Sequence, residues 1–166
     1  RVIRLVNSAF YGFEEHISSI QHAIVILGLN AVKNLVLGVS VISSFEDSKL
    51  SWSFDRRQFW LHALSCAIGA KMIAASLKRP DQEDYFLAGL LHDLGILVMD
   101  QYMHKEFERI LTFARRHRTD YLTAENKGLG IGHADVGAYL ARKWKIPGFL
   151  AYTIGFHHIP SAAPEE

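Results

Sequence analysis

Five of the chain's nine histidines fall where a helical reading turns them inward. His62 lies three residues after Phe59 and four before Cys66, on the apolar stripe of its segment. His133 heads a stripe continued by Val136, Gly137, Leu140 and Trp144. His92 follows Ala88 and Gly89, small residues beside which a second helix can come close. His157 and His158 end the last helical segment, behind Leu150 and Ile154. A desolvated imidazole without a partner is costly. Taken singly, each is an ordinary core histidine bonded to a backbone carbonyl. Several together, with Asp93 directly after His92, call for a shared partner: a metal ion accepts several neutral imidazoles and one carboxylate. The expected ligands are His62, His92, Asp93, His133, His157 and His158. The remaining histidines, His16, His22, His104 and His117, stand in polar or helix-end contexts and read as surface residues.

The elements that must position these side chains are helical. Ser18 or Ser19 caps a short helix with apolar positions Ile20, Ala23, Ile24 and Leu27, ended by Gly28. Asn30 opens a second, with Val32, Leu35, Val36, Val39 and Ile42 on one stripe. That stretch is apolar and β-branched enough for a strand, and its length and neighbours favour helix. Residues 46–53 are polar and read as a loop, after which Asp55 caps a helix bearing Phe59, Ala63, Cys66, Ala70, Ile73, Ala74 and Leu77. Arg79 and Pro80 end it, Asp81 caps residues 82–92, and Gly95 breaks that run ahead of residues 96–102. Further helices are expected over residues 105–117, 121–127, 133–145 and 148–157, the last introduced by Pro147. The fold class is therefore all-α, a compact multi-helix bundle.

Composition narrows the function classes. At 166 residues, 49% hydrophobic and 21% charged, the chain has enough material for one core and too little for two. A formal net charge of +1 gives no bulk attraction to nucleic acid or anionic lipid. The single cysteine, Cys66, cannot close an internal disulfide, which fits a reducing, cytoplasmic setting. The longest apolar run, residues 34–43, is short of a membrane span, and no signal-peptide pattern is visible. The chain starts at Arg1 and stops after Pro164, Glu165 and Glu166, so a piece trimmed at both ends is expected.

Several strings carry a family likeness. Leu90-Leu91-His92-Asp93-Leu94-Gly95 resembles the histidine–aspartate doublet of the HD superfamily. Arg4-Leu5-Val6-Asn7-Ser8-Ala9-Phe10-Tyr11-Gly12 resembles the N-terminal motif of HDOD domains, the HD-related output domains. Ser18-Ser19-Ile20, Ala23-Ile24, Leu27-Gly28 and Asn34-Leu35-Val36-Leu37 continue that match. Phe59-Trp60-Leu61-His62 is similar to the helix bearing the family's first histidine, and Gly132-His133-Ala134-Asp135-Val136-Gly137-Ala138 with His157-His158 complete the resemblance. It implies one HDOD domain over residues 1–166, with residues 1–50 in an N-terminal helical lobe and 55–166 in an HD-like lobe. It implies a bacterial signal-transduction role, with signalling proteins or fused signalling domains as partners and no membrane. Domains of the family begin with further helices and run on into a helix bearing an aspartate, and neither lies within this chain.

If the ancestral chemistry persists, one or two ions held by the six candidate ligands lower the pKa of a bound water, which attacks a phosphoester. Asp93 and His92 then carry catalysis, with Asp93 able to bridge two ions. The donor set suits iron, manganese, nickel or zinc without choosing among them. Three departures weigh against hydrolysis. Related phosphodiesterases carry a lysine where this chain has Ile96, and an apolar side chain cannot neutralise phosphate. Their glycine-tyrosine-proline loop is replaced by Ile159-Pro160-Ser161-Ala162, and their late aspartate has no counterpart before Glu166. The expectation is a regulatory binding module that retains a metal-binding site, with a metal-dependent phosphohydrolase as the alternative.

Other readings are weaker. The helices around Gly28 resemble helix-turn-helix, but the second offers Lys33 and Asn34 and is otherwise apolar, so it belongs in a core. Arg115, Arg116 and Arg118, like Arg142, Lys143 and Lys145, read as solvated helix faces, so nucleic acid is not an expected partner. Asn7, Ser8, Tyr11 and Gly12 read as a capping and packing motif between lobes, and Trp52, Trp60 and Trp144 as core or lobe-contact residues.

Overall fold

The computed structural model describes residues 2–7, 16–45 and 54–164. Among these residues are ten α-helices, one 3-10 turn and no strand. The order is α1 (Val2–Val6), α2 (Ile20–Leu27), α3 (Leu29–Ser43), α4 (Arg56–Ser76), α5 (Gln82–Leu91), α6 (Leu94–Tyr102), α7 (His104–His117), α8 (Tyr121–Gly128), α9 (His133–Lys143) and α10 (Gly148–Phe156), then the turn at Pro160–Ala162. The expected loop at 46–53, with Trp52, lies outside the described residues, as do Ser8, Tyr11 and Gly12 of the N-terminal motif.

The buried apolar side chains form two clusters. The smaller joins Val6, Ile17, Ala23, Val32 and Leu35 of the N-terminal segment. The larger runs from Val41 and Phe45 through α4 to α10, with Phe107, Leu97, Met99 and Ile154 almost wholly enclosed. Helix α3 therefore belongs to both, its first half to one and its last turn to the other, because its apolar face is continuous. Asn7 ties the N-terminal segment together: its amide donates to the Ile17 carbonyl and its oxygen accepts the Ile17 N–H, both at 2.8 Å. A buried ion pair fixes the start of α4, where the Arg56 guanidinium donates from Nε to Asp100 on α6 at 2.9 Å and from Nη1 to the Phe45 carbonyl. Trp144 meets Phe45 at the end of α3 with 42% of its surface exposed, a contact at the edge of the larger cluster rather than in its core.

Helix starts follow the expected chemistry at Ser19 and Asp55, whose side chains accept from His22 N–H and from Arg57 and Gln58 N–H. Asp81 holds the N-cap position of α5 without a side-chain cap bond. The larger correction concerns Gly95. It does not break a helix; it lies within α6, and the break falls two residues earlier, at His92–Asp93. A Cβ at Gly95 would stand 1.8 Å from the His133 carbonyl oxygen, so the glycine is required by the close crossing of α6 on α9. Helix α4 is long and apolar enough, on length and hydropathy, to cross a membrane, which the short apolar run at 34–43 did not lead one to expect. It packs along α5 with Ala63, Ala67 and Ala74 buried.

Candidate metal centre

Consecutive residues of a regular helix point about 100° apart and do not meet. The doublet works because α5 stops at Leu91 and α6 starts at Leu94, leaving His92 and Asp93 in the turn between them. There both side chains turn to one centre, with His92 Nε2 3.1 Å from Asp93 Oδ2. The crossing permitted by Gly95 brings in His133 from the first turn of α9, its Nε2 3.4 Å from Asp93 Oδ1. His157, just past α10, reaches the same oxygen at 3.2 Å, and His62 on α4 reaches Oδ2 at 3.5 Å. His158 joins through His133, the two Nε2 atoms lying 2.9 Å apart. All six residues expected from the sequence are thus gathered around Asp93.

Their burial is less uniform than expected. His133 is almost fully enclosed, and the side chains of His92 and His157 keep 13% of their surface. His62 is not inward-facing: 56% of its side chain is exposed, because α4 meets the centre only at its rim. His158 is exposed too. Of the histidines expected at the surface, His16, His104 and His117 are exposed and His22 is half-buried.

The orientation of the rings carries the chemistry. His92 Nδ1 lies 2.8 Å from the Gly89 carbonyl and His157 Nδ1 2.9 Å from the Ile154 carbonyl, so each must hold its proton on Nδ1. His133 Nδ1 faces both oxygens of Glu125 at 2.8–2.9 Å, and the Glu125 carboxylate also accepts the His133 backbone N–H at 3.0 Å. In their neutral forms, then, three imidazoles present bare Nε2 lone pairs to the Asp93 carboxylate and to one another, His133 and His157 at 3.3 Å. Acceptors facing acceptors repel unless a cation stands among them.

Protons meet that demand in part. Burial opposes charging of His133, but its hydrogen bonds to Asp93 and Glu125 outweigh burial and raise the ring to about 9. Burial likewise opposes charge on His92, and Asp93 reverses it, leaving the ring raised. Burial would lift the Asp93 carboxyl, yet hydrogen bonds from His133, His157 and His92 hold it far below the ordinary carboxylate range. His158 is lowered, by burial and then by the charges of His157 and His133.

The spacing of the donors fits a metal. Nitrogen or oxygen donors at about 2.0–2.1 Å from one tetrahedral ion stand about 3.3 Å apart. The Asp93–histidine separations of 3.1–3.5 Å and the His133–His157 separation are of that size. Asp93 divides the set, Oδ1 facing His133 and His157 and Oδ2 facing His62 and His92. Asp93, His133, His157 and His158 have donor atoms mutually within 4.8 Å. Glu125, absent from the sequence reading, orients His133 as a carboxylate behind a metal-ligating histidine does. Its one sequence signal was a carboxylate eight residues ahead of an inward histidine.

A cavity of about 490 Å³ opens beside the centre, lined by Phe59, His62, Asp93, Ile96, Arg115 and Tyr121 among others. Ile96 is 8% exposed, so the apolar side chain in the place of the phosphodiesterase lysine is a wall of this cavity. Arg115, read from the sequence as part of a solvated face, also lines it.

An all-helical bundle that draws five imidazoles around a carboxylate at a helix junction is of the HD-related class. The chain belongs to the HDOD family, whose domain profile matches residues 1–160. It is similar to a crystal structure of an HDOD domain protein of unknown function from Geobacter sulfurreducens, with 31% identity and TM-score 0.86, covering 99% of this chain and 54% of that one. A protein from Shewanella amazonensis SB2B, provisionally named a phosphohydrolase, matches at 29% identity and TM-score 0.79 over 98% of this chain and 56% of that one. One from Marinobacter aquaeolei VT8, provisionally named a signal transduction protein, matches at 25% and 0.77 over 98% and 37%. The chain spans 32% and 25% of the length of two curated relatives it matches.

Proposed function

We propose that this chain is a regulatory output domain of bacterial signalling, acting in the cytoplasm through a signalling protein or fused signalling domain, with a divalent transition metal held at Asp93. The carrying observation is the convergence of three Nδ1-anchored imidazoles on one buried carboxylate, an arrangement that needs positive charge. The ligands would be Asp93, His133, His157 and His158 in one set, with His62 and His92 on the other oxygen of Asp93. A cation bound there supplies Lewis acidity and a water of lowered pKa. Glu125 holds the His133 ring in register, and the Gly89 and Ile154 carbonyls do so for His92 and His157. Ile96 puts an apolar wall where related phosphodiesterases place a lysine, which favours binding over turnover.

A second reading, metal-dependent phosphohydrolase, is favoured by Arg115, which brings a guanidinium to the same cavity from α7. Metal analysis of the purified chain together with turnover of bis(p-nitrophenyl) phosphate separates the two. Bound transition metal without turnover is the expected result. Turnover abolished by Asp93→Ala or His92→Ala would establish the hydrolase instead, and a chain that retains no metal after exposure to zinc or iron would overturn both.

A further inference from the structure

Cys66 entered the sequence reading as one apolar position on a helical stripe, but its sulfur stands with ligands. Its Sγ lies 3.6 Å from His62 Nε2, one helical turn earlier on α4. The donor atoms of Cys66, His62 and His92 are all within 4.8 Å of one another, a cluster separate from the Asp93–His133–His157–His158 group. A sulfur at about 2.3 Å and a nitrogen at about 2.0–2.1 Å on one tetrahedral ion stand about 3.6 Å apart, the separation found here.

The backbone builds this cluster. A Cβ at Gly89 would meet the Cys66 carbonyl carbon and the Ala67 backbone at 2.8 Å, so α5 crosses α4 in direct backbone contact at Cys66. The carbonyl of that same Gly89 holds His92 Nδ1, aiming Nε2 at the centre. One glycine therefore fixes the sulfur and the second nitrogen relative to each other.

We propose that Cys66 is a metal ligand, forming with His62 and His92 a two-nitrogen, one-sulfur set for a thiophilic divalent cation such as zinc, beside the Asp93 oxygen that faces the same two imidazoles. This rests on the reading of Asp93 as a metal centre and sharpens it. Oxygen and imidazole donors alone do not choose among iron, manganese, nickel and zinc, whereas a thiolate disfavours manganese. Binding forms the metal–sulfur bond and releases the thiol proton to solvent.

Cobalt(II) titration of the purified chain tests it, since cobalt reports sulfur and nitrogen ligation separately. The expected spectrum has visible d–d bands together with a near-ultraviolet thiolate-to-cobalt charge-transfer band. That band can arise only from Cys66, the one cysteine. Cys66→Ser and Cys66→Ala should lose it while keeping d–d absorption from the histidine-rich set, with unchanged helical circular dichroism. Zinc should displace the band at stoichiometric addition and manganese should not. Visible bands without the charge-transfer band in the unaltered chain would overturn the role of Cys66 and leave the Asp93 centre standing. No cobalt spectrum at all would overturn both.

Discussion

Glu125→Gln isolates the contribution of a residue that touches no reacting atom. Glu125 is fully buried and receives two N–H groups of His133, one from the ring and one from the backbone. Glutamine keeps the shape and one acceptor oxygen but removes the charge. Loss of such a partner behind a metal-ligating imidazole typically lowers metal affinity about 10- to 100-fold, or about 1.4–2.7 kcal/mol. An opposing effect must be weighed. Glu125 is among the causes that raise His133 to about 9, so at neutral pH a proton competes with the metal for Nε2, and removing the carboxylate relieves some of that competition. The metal still loses more, because a divalent ion interacts with the Glu125 charge about twice as strongly as a proton at the same position. Affinity should therefore fall about tenfold near pH 7 and more steeply, toward about 100-fold, above about pH 9, where proton competition has gone. Zinc titration calorimetry against a competing chelator at the two pH values reads both numbers. Unchanged or tighter binding in Glu125→Gln at both would refute the assignment of His133 as a ligand oriented by Glu125.

Other outcomes follow from the same geometry. Asp93→Asn should abolish retention of metal through dialysis, because each oxygen faces two imidazoles and the amide offers one poor donor; metal analysis reads the loss. In chelator, the raised His133 makes the protonated ring part of the folded state's stability. That contribution, up to about 3 kcal/mol, is complete below pH 6.5 and is lost as pH rises toward about 9. Urea unfolding should show metal-free stability falling over that window, and saturating zinc should reverse the trend because metal displaces the proton. Gly95→Ala should cost at least about 3 kcal/mol or prevent folding, since its Cβ would meet the His133 carbonyl; urea midpoints relative to Gly69→Ala, where nothing lies within 4 Å, provide the control.

The gathering of side chains at Asp93 was legible in part because groups that converge in an interior mostly lie on inward faces, and helical period records which faces those are. The stripe through His133 and the small residues ahead of His92 carried that information directly. Period says nothing of depth, so His62, on an equally apolar stripe, appeared buried although α4 only grazes the centre. Glu125 was invisible for a related reason: its helix is eight residues long, too short for a stripe to declare itself, and its partner is on the next element. Gly95 was seen but misread. A glycine inside a helical run is either a stop or a close crossing, and only the position of the neighbouring helix distinguishes them. Arg115 is exposed, as its charge cluster implies, but clustering alone does not reveal that its helix also ends beside a cavity.

The site draws on α4, the α5–α6 junction, the start of α9 and the residues beyond α10. None of these places holds a complete donor set, and the unfolded chain has none preformed. If the proposed metal binds, its binding energy at Asp93 is folding energy: a cation present at about 100 times its dissociation constant would stabilise the assembled form by about 2.7 kcal/mol. The side chains it would gather differ in how deeply they are enclosed. Asp93 and His133 are fixed by the backbone contact at Gly95, whereas His62 and His158 sit at the rim with exposed side chains. On the proposed reading, occupancy would bear most on the rim side chains His62 and His158 and on the segment after α10, since α4 itself is held to α5 by the backbone contact at Gly89. A site built this way would report its occupancy outward without turning over a substrate, and that consequence, together with the apolar Ile96 beside the centre, is why a regulatory module is proposed ahead of a hydrolase.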